Sequence, residues 1–349
     1  MQYCINTAIQ MQGSASIQEE GFSMNQSMKE RCELFIQNRD AIKGAYKWDG
    51  DNMAIMGSVI YTGKMVAVNV DKMKEAEEIL KKKTGVFSDF RGNLKLSMIC
   101  NMAMADDAEA YFEGVSAVYK ELNKNKLLGS DYRILAAMII YGDKNTDKVA
   151  LVERVQEIFQ DMKKEHPFLT SDEDITTAAM LAISDMDIDA MIKNMEECYG
   201  TMKKFFSSQN AVQSLSHVLA LNNQPVEEKC QRVKDIFESL KDAKRKYGTS
   251  YELATLGALT MLDMSTEEIV KEICEVDDYL KEQKGFGSLG TGSTGRLMYA
   301  ALLVMDNYMP DGAVMENAVV GSALAAVIAQ QMAMICIMTA ATTSVAVNN

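Results

Sequence analysis

Two kinds of segment alternate along the chain: short apolar stretches and longer, charged ones. Each short stretch begins with Ser, Thr or Asp, which favour the N-cap of a helix. The residues that follow would be apolar on all sides of that helix. We expect these stretches to form buried helices. They are DNMAIMGSVIYTG from Asp51, SDFRGNLKLSMICNM from Ser88, SDYRILAAMIIYG from Ser130, SDEDITTAAMLAIS from Ser171, SQNAVQSLSHVLAL from Ser208, TSYELATLGALTML from Thr249 and STGRLMYAALLVM from Ser293.

A small residue lies near the middle of every short stretch. The seven residues are Gly57, Ser97, Ala137, Ala179, Ser216, Gly257 and Ala301, at steps of 40, 40, 42, 37, 41 and 44 residues. A regular step of about 40 residues over most of a chain predicts a repeat architecture.

The charged stretches between them have the three- and four-residue periodicity of amphipathic helices. In TDKVALVERVQEIFQDMKKEH, three- and four-residue steps separate Val149, Val152, Val155, Phe159 and Met162. Sustained alternation with period two is missing, and the isolated KMVAVNV, 64–70, is the best strand candidate. The pattern predicts an all-α chain of about fourteen helices, without a sheet of three or more strands.

Each repeat therefore pairs a short inner helix with a longer, solvated outer helix. About seven such αα-hairpins of ~40 residues stack as an open α-solenoid or close into an α/α toroid. We favour the toroid, because an open solenoid would end in a polar cap, whereas 317–349 carries no charge. Residues 24–349 are predicted to form a single domain, and 1–23 a tail or loosely docked segment.

The C-terminal stretch ALAAVIAQQMAMICIMTAATTSVAV is long enough to span a bilayer. Gln330 and Gln331 lie in its middle, however, and neither aromatic nor basic anchors flank it. We therefore predict that residues 321–347 form a buried helix of the repeat domain rather than a membrane span.

The amino-acid composition disfavours several classes of function. The net charge of -13 disfavours non-specific binding to nucleic acid or to an anionic membrane. Seven cysteines far apart in sequence, without a C-x-x-C pair, indicate free thiols in a reducing compartment. With only two histidines, no metal site is predicted.

The loop KGFGSLGTGSTGRL, 284–297, matches G-x-G-x-x-G at Gly285, Gly287 and Gly290. A dinucleotide site needs a preceding strand, whereas an amphipathic helix precedes this loop, so we favour a flexible corner with a glycine C-cap and Ser293 as the next N-cap. The alternative is an anion site built from backbone amides, a helix N-terminus and Arg296.

Charged residues recur at the starts of the short helices, as in SDFR and SDYR. The structural interpretation is helix capping and salt bridges between neighbouring repeats. The functional interpretation is a polar ligand site at one shared rim, where Asp172 and Asp174 would do acid–base work if their pKa values separate. The candidate ligand-binding residues are Asp89, Arg91, Asp131, Arg133, Asp172, Asp174 and Arg296.

Two further residues are interpreted structurally. His217 occupies a repeat position that elsewhere holds Met98, Met138 and Met180, which predicts a core histidine. Trp48 is the only tryptophan and is predicted to pack between the first helix and the first short helix.

The segments FSDFRGNLKLS, GSDYRILAAMII, MKKEHPFLTSDED, SYELATLGAL and RLMYAALLV, with the terminal IAQQMAM, resemble a bacterial family known as domain of unknown function 4003. The resemblance runs from about Met24 to the C-terminus. It implies a cytoplasmic bacterial protein from a Gram-positive species. It implies no activity, substrate or cofactor.

Two functions fit the sequence. The first is a non-catalytic binding or scaffold protein, whose partner is a protein or a small polar or anionic ligand. The alternative is an α/α-toroid enzyme, a lyase, hydrolase or transferase, with carboxylates at the rim of the inner helices; it rests on fold analogy. A deep polar pocket with perturbed carboxylates favours the enzyme.

Overall fold

The computed structural model describes residues 24–124, 129–143, 146–184, 186–288 and 290–308. This part of the chain is entirely helical and contains no strand, which confirms the predicted all-α class. Its α-helices are α1 Gln26–Ala45, α2 Asp51–Thr62, α3 Val70–Lys83, α4 Lys95–Met104, α5 Ala108–Leu122, α6 Asp131–Gly142, α7 Lys148–Glu165, α8 Asp174–Ile183, α9 Ile188–Met202, α10 Gln209–Ala220, α11 Val226–Asp242, α12 Leu253–Leu259, α13 Thr266–Lys281 and α14 Gly292–Tyr308, with a short 3-10 helix, Asp89–Arg91, before α4.

Even-numbered and odd-numbered helices differ in burial. The even-numbered helices are the predicted short apolar stretches and are covered nearly all round; every residue of α12 is buried. The odd-numbered helices bury only one face, as α11 does with Cys230, Val233, Ile236 and Leu240. We call the two sets the inner and outer helices.

The outer helices begin in the same way in successive repeats. An Asn, Asp or Ser side chain at the N-cap accepts a hydrogen bond from a first-turn amide, which satisfies groups that a helix leaves unpaired. The step between these caps is about 40 residues, except between Asp187 and Ser265, because α11 begins after Pro225 and has no side-chain cap. The cap residues are Asn25, Asn69, Asp107, Asp147, Asp187 and Ser265.

The ends of several inner helices are held by arginines that the sequence pattern did not single out. Arg31 of α1 donates to the Thr62 carbonyl at 3.1 Å, Arg154 of α7 to the Ala182 carbonyl at 3.0 Å, and Arg232 of α11 to the Leu262 carbonyl at 2.8 Å. Arg31 and Arg154 thereby satisfy the last carbonyls of the inner helix that follows their own helix, whereas Arg232 binds the connection just after α12.

The neighbouring outer helices α9 and α11 run parallel. Between α9 and α11, the Lys229 ammonium lies 2.7 Å from the Asn194 side-chain oxygen, and further along both chains the rings of Phe205 and Phe237 are 5.9 Å apart. The paired positions therefore advance in the same direction. The C-terminal ends of α9 and α11 consequently point in the same direction.

Small residues in the inner helices allow the close packing that their burial requires. A Cβ added at Gly257 of α12 would lie 2.9 Å from Leu215 Cδ1 and 3.3 Å from Val218 Cγ1 of α10. These distances are shorter than ordinary van der Waals contacts, so a larger side chain would push the two helices apart.

Gly257→Val is expected to lower the free energy of unfolding by about 1–3 kcal/mol, the usual cost of overpacking a core. Urea unfolding of the purified variant checks this. Gly200→Val is the control, since nothing lies within 4 Å of a Cβ at Gly200. Equal destabilisation of both variants would mean that the helix backbone, rather than the contact with α10, requires glycine.

Several predictions made from the sequence can be compared with the structure. His217 is 2% exposed, so the predicted core histidine is confirmed, whereas Trp48 is 99% exposed and the packing role predicted for it is wrong. The tail at 1–23 and the buried helix at 321–347 lie outside the described residues. Within those residues, no helix is both long and apolar enough to cross a membrane.

Candidate binding site at the junction of first and last helices

The first helix packs against the last two described helices, α13 and α14. Asn25 donates to Glu272 at 3.1 Å and to the Tyr308 hydroxyl at 2.8 Å, and Arg31 forms an ion pair with Asp306. The N- and C-terminal ends of the described domain are thereby joined by polar contacts.

A cavity of about 860 Å³ lies at this junction, and we call it the junction cavity. Its volume is in the range of pockets that hold small molecules. Four elements form its wall: the end of α1, the turn that follows α1, the start of α2 and the glycine-rich loop. The lining residues are Arg39, Asp40, Lys43, Gly44, Lys47, Asp49, Gly50, Asp51, Asn52, Ile55, Lys284, Gly285, Gly290 and Thr291.

Positive charge exceeds negative charge in this lining, although the whole chain has a net charge of -13. The cations are Arg39, Lys43, Lys47 and Lys284, and the carboxylates are Asp40, Asp49 and Asp51. Each carboxylate forms an ion pair: Asp40 with Arg39 at 2.7 Å, Asp51 with Lys43 at 2.7 Å, and Asp49 with Lys95 at 3.2 Å. The lining therefore combines neutralised carboxylates with the exposed lysines Lys47 and Lys284.

Arg39 forms the rigid part of this wall. Its guanidinium donates to Asp40 through Nε and Nη2, donates to the Lys284 carbonyl at 2.7 Å, and lies 5.2 Å from the ring centroid of Phe286. These contacts fix a buried cation beside the glycine-rich loop and hold that loop against α1.

The glycine-rich loop is tightly turned rather than a flexible corner. The amides of Gly290, Thr291 and Gly292 donate to loop carbonyls at 3.0, 3.0 and 3.2 Å. A Cβ at Gly290 would lie 1.9 Å from the Gly285 carbonyl oxygen, so only glycine allows this closure. Since these three amides are bonded within the loop, side chains supply the positive charge of the cavity. Helix α14 begins at Gly292, so Ser293 lies inside its first turn and not at the cap.

Arg91 and Arg296, two of the predicted site residues, make internal contacts. Arg91 donates to Thr84 Oγ1 and to the Thr84 carbonyl at 2.9 Å, which caps the end of α3. Arg296 donates through Nε to Asp277 at 2.6 Å and through Nη1 to the Phe286 carbonyl at 3.0 Å. Both guanidiniums hold helix ends and loops together.

Asp89 and Asp131 lie near each other at the start of α6. Asp89 accepts a hydrogen bond from the Tyr119 hydroxyl at 2.6 Å, and Asp131 accepts one from Asn93 at 2.9 Å. Burial and the neighbouring Asp89 raise the pKa of Asp131, while the Asn93 hydrogen bond lowers it. Arg133 forms an ion pair with Asp172 of the next repeat and donates to Asn123 at 3.0 Å.

Asp174 is the predicted site residue with the most perturbed environment. It is 5% exposed, and burial raises its pKa from the ordinary 3.8 to about 7. Its Oδ2 accepts the Ser171 amide at 2.8 Å, and its Oδ1 lies 3.7 Å from Nδ1 of His217. Burial, aided by nearby His166, lowers the pKa of His217 to about 3. Near neutral pH the pair is thus a carboxyl group that still binds a proton about half of the time, beside a neutral imidazole.

Sequence reasoning missed most of the junction cavity. It considered the glycine-rich loop with Arg296, whereas the structure brings Arg39, Lys43, Lys47 and Lys284 to the loop. The lysines were visible in the sequence, but only the packing of α1 against α13 and α14 brings them together. In the described part of the chain, no group of His, Cys, Asp and Glu suited to a metal ion is present.

Comparison with known proteins identifies the family of this all-helical chain. Residues 38–333 match the family of proteins of unknown function DUF4003, and the chain belongs to that family. The predicted resemblance is therefore confirmed. The chain is also similar to an uncharacterised protein, YeaA, of Bacillus subtilis strain 168, with 23% identity over 271 residues that cover 75% of this chain and 81% of YeaA. No solved structure matches the chain.

Proposed function

We propose that this protein is a non-catalytic binding protein of the bacterial cytoplasm, built as a closed α/α toroid, which holds a small anionic ligand in the junction cavity. The observation that carries the proposal is that cavity, where cations outnumber carboxylates in a chain whose net charge is -13. A concave, partly preformed site with a few fixed polar groups is the usual form of a small-molecule site.

The packing of the outer helices supports the toroid. Each outer helix contacts the next, from α1 through α13, and α13 contacts α1 again. On the inner layer, the Tyr299 hydroxyl of α14 lies 4.0 Å from the Met56 sulfur of α2. An open solenoid would separate its first and last repeats.

The fixed charges support an anionic ligand. Arg39 is held in place by Asp40 and the Lys284 carbonyl, so it needs little reorganisation on binding. Lys47 and Lys284 are exposed beside it and are free to turn towards an incoming anion. The start of α2 adds a favourable helix dipole, since its N-cap Gly50 provides no side-chain cap.

The rival interpretation, an enzyme, draws on the raised pKa of Asp174. Asp174 lines neither the junction cavity nor the shallower cavity of about 600 Å³ beside α11 and α13, and it is 5% exposed. A general acid must reach its substrate, so this burial favours the binding protein. A ligand site at the other six rim residues stays a prediction.

Calorimetric titration with pyrophosphate and citrate tests the proposal. We expect binding, and we expect the double variant Lys47→Ala/Lys284→Ala to weaken it by about tenfold or more, because each charged hydrogen bond contributes about 1.5–3 kcal/mol. Lys72→Ala/Lys74→Ala is the matched control, since both lysines are exposed on α3 and lie outside the cavity lining.

Equal affinity in the two double variants would contradict the site, and no binding of either anion would contradict the anionic ligand. Native mass spectrometry of the freshly purified protein gives a separate readout. A co-purified anion that is lost from Lys47→Ala/Lys284→Ala, but not from the control, supports the proposal.

A further inference from the structure

Two buried cysteines lie against each other between neighbouring outer helices. Cys198 of α9 and Cys230 of α11 are both 0% exposed, and their side chains are hydrogen-bonded to each other. Both are free cysteines, not joined by a disulfide. A single buried cysteine serves as a small apolar residue, whereas two thiols in contact can also be oxidised to a disulfide.

A buried lysine lies beside the two thiols. Lys229 directly precedes Cys230 and is 0% exposed, although lysine is rarely buried without a charged partner. Its ammonium donates to the Asn194 side-chain oxygen and to the Asn222 carbonyl, at 2.7 Å in both cases. The Asn194 oxygen in turn lies 3.6 Å from the Cys198 sulfur. Both partners of the ammonium are neutral, so neither balances its charge.

The positive charge of Lys229 acts on both sulfurs. The hydrogen bond with Cys198 lowers the pKa of the Cys230 thiol, burial opposes this, and the charge of Lys229 adds to the lowering. The hydrogen bond with Cys230 and burial raise the pKa of Cys198, which therefore keeps its proton. Burial lowers the pKa of Lys229, whereas the two sulfurs raise it, as a nearby counter-ion does. These interactions favour a Cys230 thiolate beside a Cys198 thiol.

We propose that Cys198 and Cys230 form a redox-active dithiol that a small hydroperoxide oxidises to a disulfide. A thiolate, rather than a thiol, is the nucleophile in cysteine oxidation, and a neighbouring thiol converts the first oxidation product into a disulfide. The contact between the two sulfurs, with a buried ammonium beside them, supplies both requirements.

The reaction balances as a two-electron oxidation of the dithiol. The Cys230 thiolate attacks one peroxide oxygen, the O–O bond breaks, and hydroxide or alkoxide leaves and takes a proton from solvent. Cys230 is then a sulfenic acid. The Cys198 sulfur attacks the sulfenic sulfur, the S–O bond breaks, and the departing hydroxide takes the Cys198 proton and leaves as water. The hydroperoxide is thereby reduced to an alcohol or to water.

Burial limits the size of the oxidant. Neither sulfur is exposed, so an oxidant reaches them only when α9 and α11 briefly open locally. Hydrogen peroxide needs a smaller opening than any disulfide reagent does. Because a reducing compartment returns disulfides to thiols, the cross-link is expected to be transient, as redox-sensing disulfides are in such compartments.

Peptide mapping of the wild-type protein after treatment with hydrogen peroxide tests the proposal. A small molar excess should join the tryptic peptides that contain Cys198 and Cys230, and dithiothreitol should separate them again. Cys32 and Cys100 are internal controls: both are 0% exposed, and burial raises the pKa of each thiol, so they should stay reduced.

Two lysine variants isolate the role of the buried charge. Lys229→Met keeps a long side chain without the charge and should slow the cross-linking about tenfold, because less of Cys230 is then thiolate. Lys241→Met, exposed near the end of the same helix, is the matched control. Circular dichroism verifies that both variants fold. If Lys229→Met does not fold, the wild-type peptide map decides the proposal on its own.

Two cysteine variants isolate the two steps of the reaction. Cys198→Ala should stop at a Cys230 sulfenic acid, seen as a gain of one oxygen, and Cys230→Ala should leave Cys198 reduced. The proposal is overturned if excess peroxide leaves the wild-type thiols unlinked, if Cys32 and Cys100 are oxidised as fast, or if the two lysine variants cross-link at the same rate. None of these results bears on the junction cavity, whose lining contains no cysteine.

Discussion

Replacing Asp277 by Ala is expected to lower the free energy of unfolding by about 3–5 kcal/mol, as for other buried ion pairs that lose one partner. Asp277 is 1% exposed, and its carboxylate accepts Arg296 Nε at 2.6 Å and pairs with Arg245 Nη1 at 3.1 Å. Without the Asp277 carboxylate, the buried Arg296 still donates a hydrogen bond to the Phe286 carbonyl but has lost its counter-ion.

Arg296→Met/Asp277→Leu should recover part of this loss, because an apolar pair of similar volume leaves no buried charge. Asp278→Asn is the control: this carboxylate is 59% exposed, binds Arg245 at 2.7 Å, and should contribute less than about 1 kcal/mol. Urea unfolding of the wild type and the three variants measures these differences. If the double variant is no more stable than Asp277→Ala, packing rather than the unpaired charge determines the effect.

The helices and their caps were predictable because they depend on local pattern. Each cap depends on one side chain and the next turn. Gly257 illustrates the limit of this reasoning. Its position near the middle of a short helix was predicted, but the contact with Leu215 depends on how α12 packs on α10.

The candidate site was less predictable because its residues are distant in sequence. Arg91 and Arg296 were expected at a shared rim, yet one caps α3 and the other binds Asp277. Their charge was evident, but their partners are set by side-chain packing. Trp48 was expected to be buried because large aromatics usually are, and its 99% exposure follows from a turn that projects it into solvent.

The pH dependence of stability should reveal the state of the Asp174–His217 pair. For Asp174, the folded pKa of about 7 exceeds the ordinary 3.8, so its contribution to stability falls as pH rises through this interval. For His217, the folded pKa of about 3 is below the ordinary 6.5, so its contribution falls as pH decreases through that interval. Each shift corresponds to about 4–5 kcal/mol at most.

The contributions of Asp174 and His217 to the free energy of unfolding change in opposite directions over most of the acid range. The stability of the wild-type protein should therefore depend little on pH through this pair. Asp174→Asn removes one slope: the variant should be about 2–4 kcal/mol more stable than wild type above pH ~7 and should lose stability on acidification. His217→Gln removes the other slope, and its stability should decrease from acid to neutral pH.

Urea unfolding of the wild type and both variants at a series of pH values measures these slopes. Glu173 and Lys163 act electrostatically on Asp174, and His166, which contacts Glu196, acts on His217. Their contributions must be common to all three proteins. The informative quantity is therefore the difference between each variant and wild type. If Asp174→Asn is instead less stable than wild type at alkaline pH, the ionised Asp174 stabilises the folded protein by pairing with a protonated His217, whose Nδ1 lies 3.7 Å away.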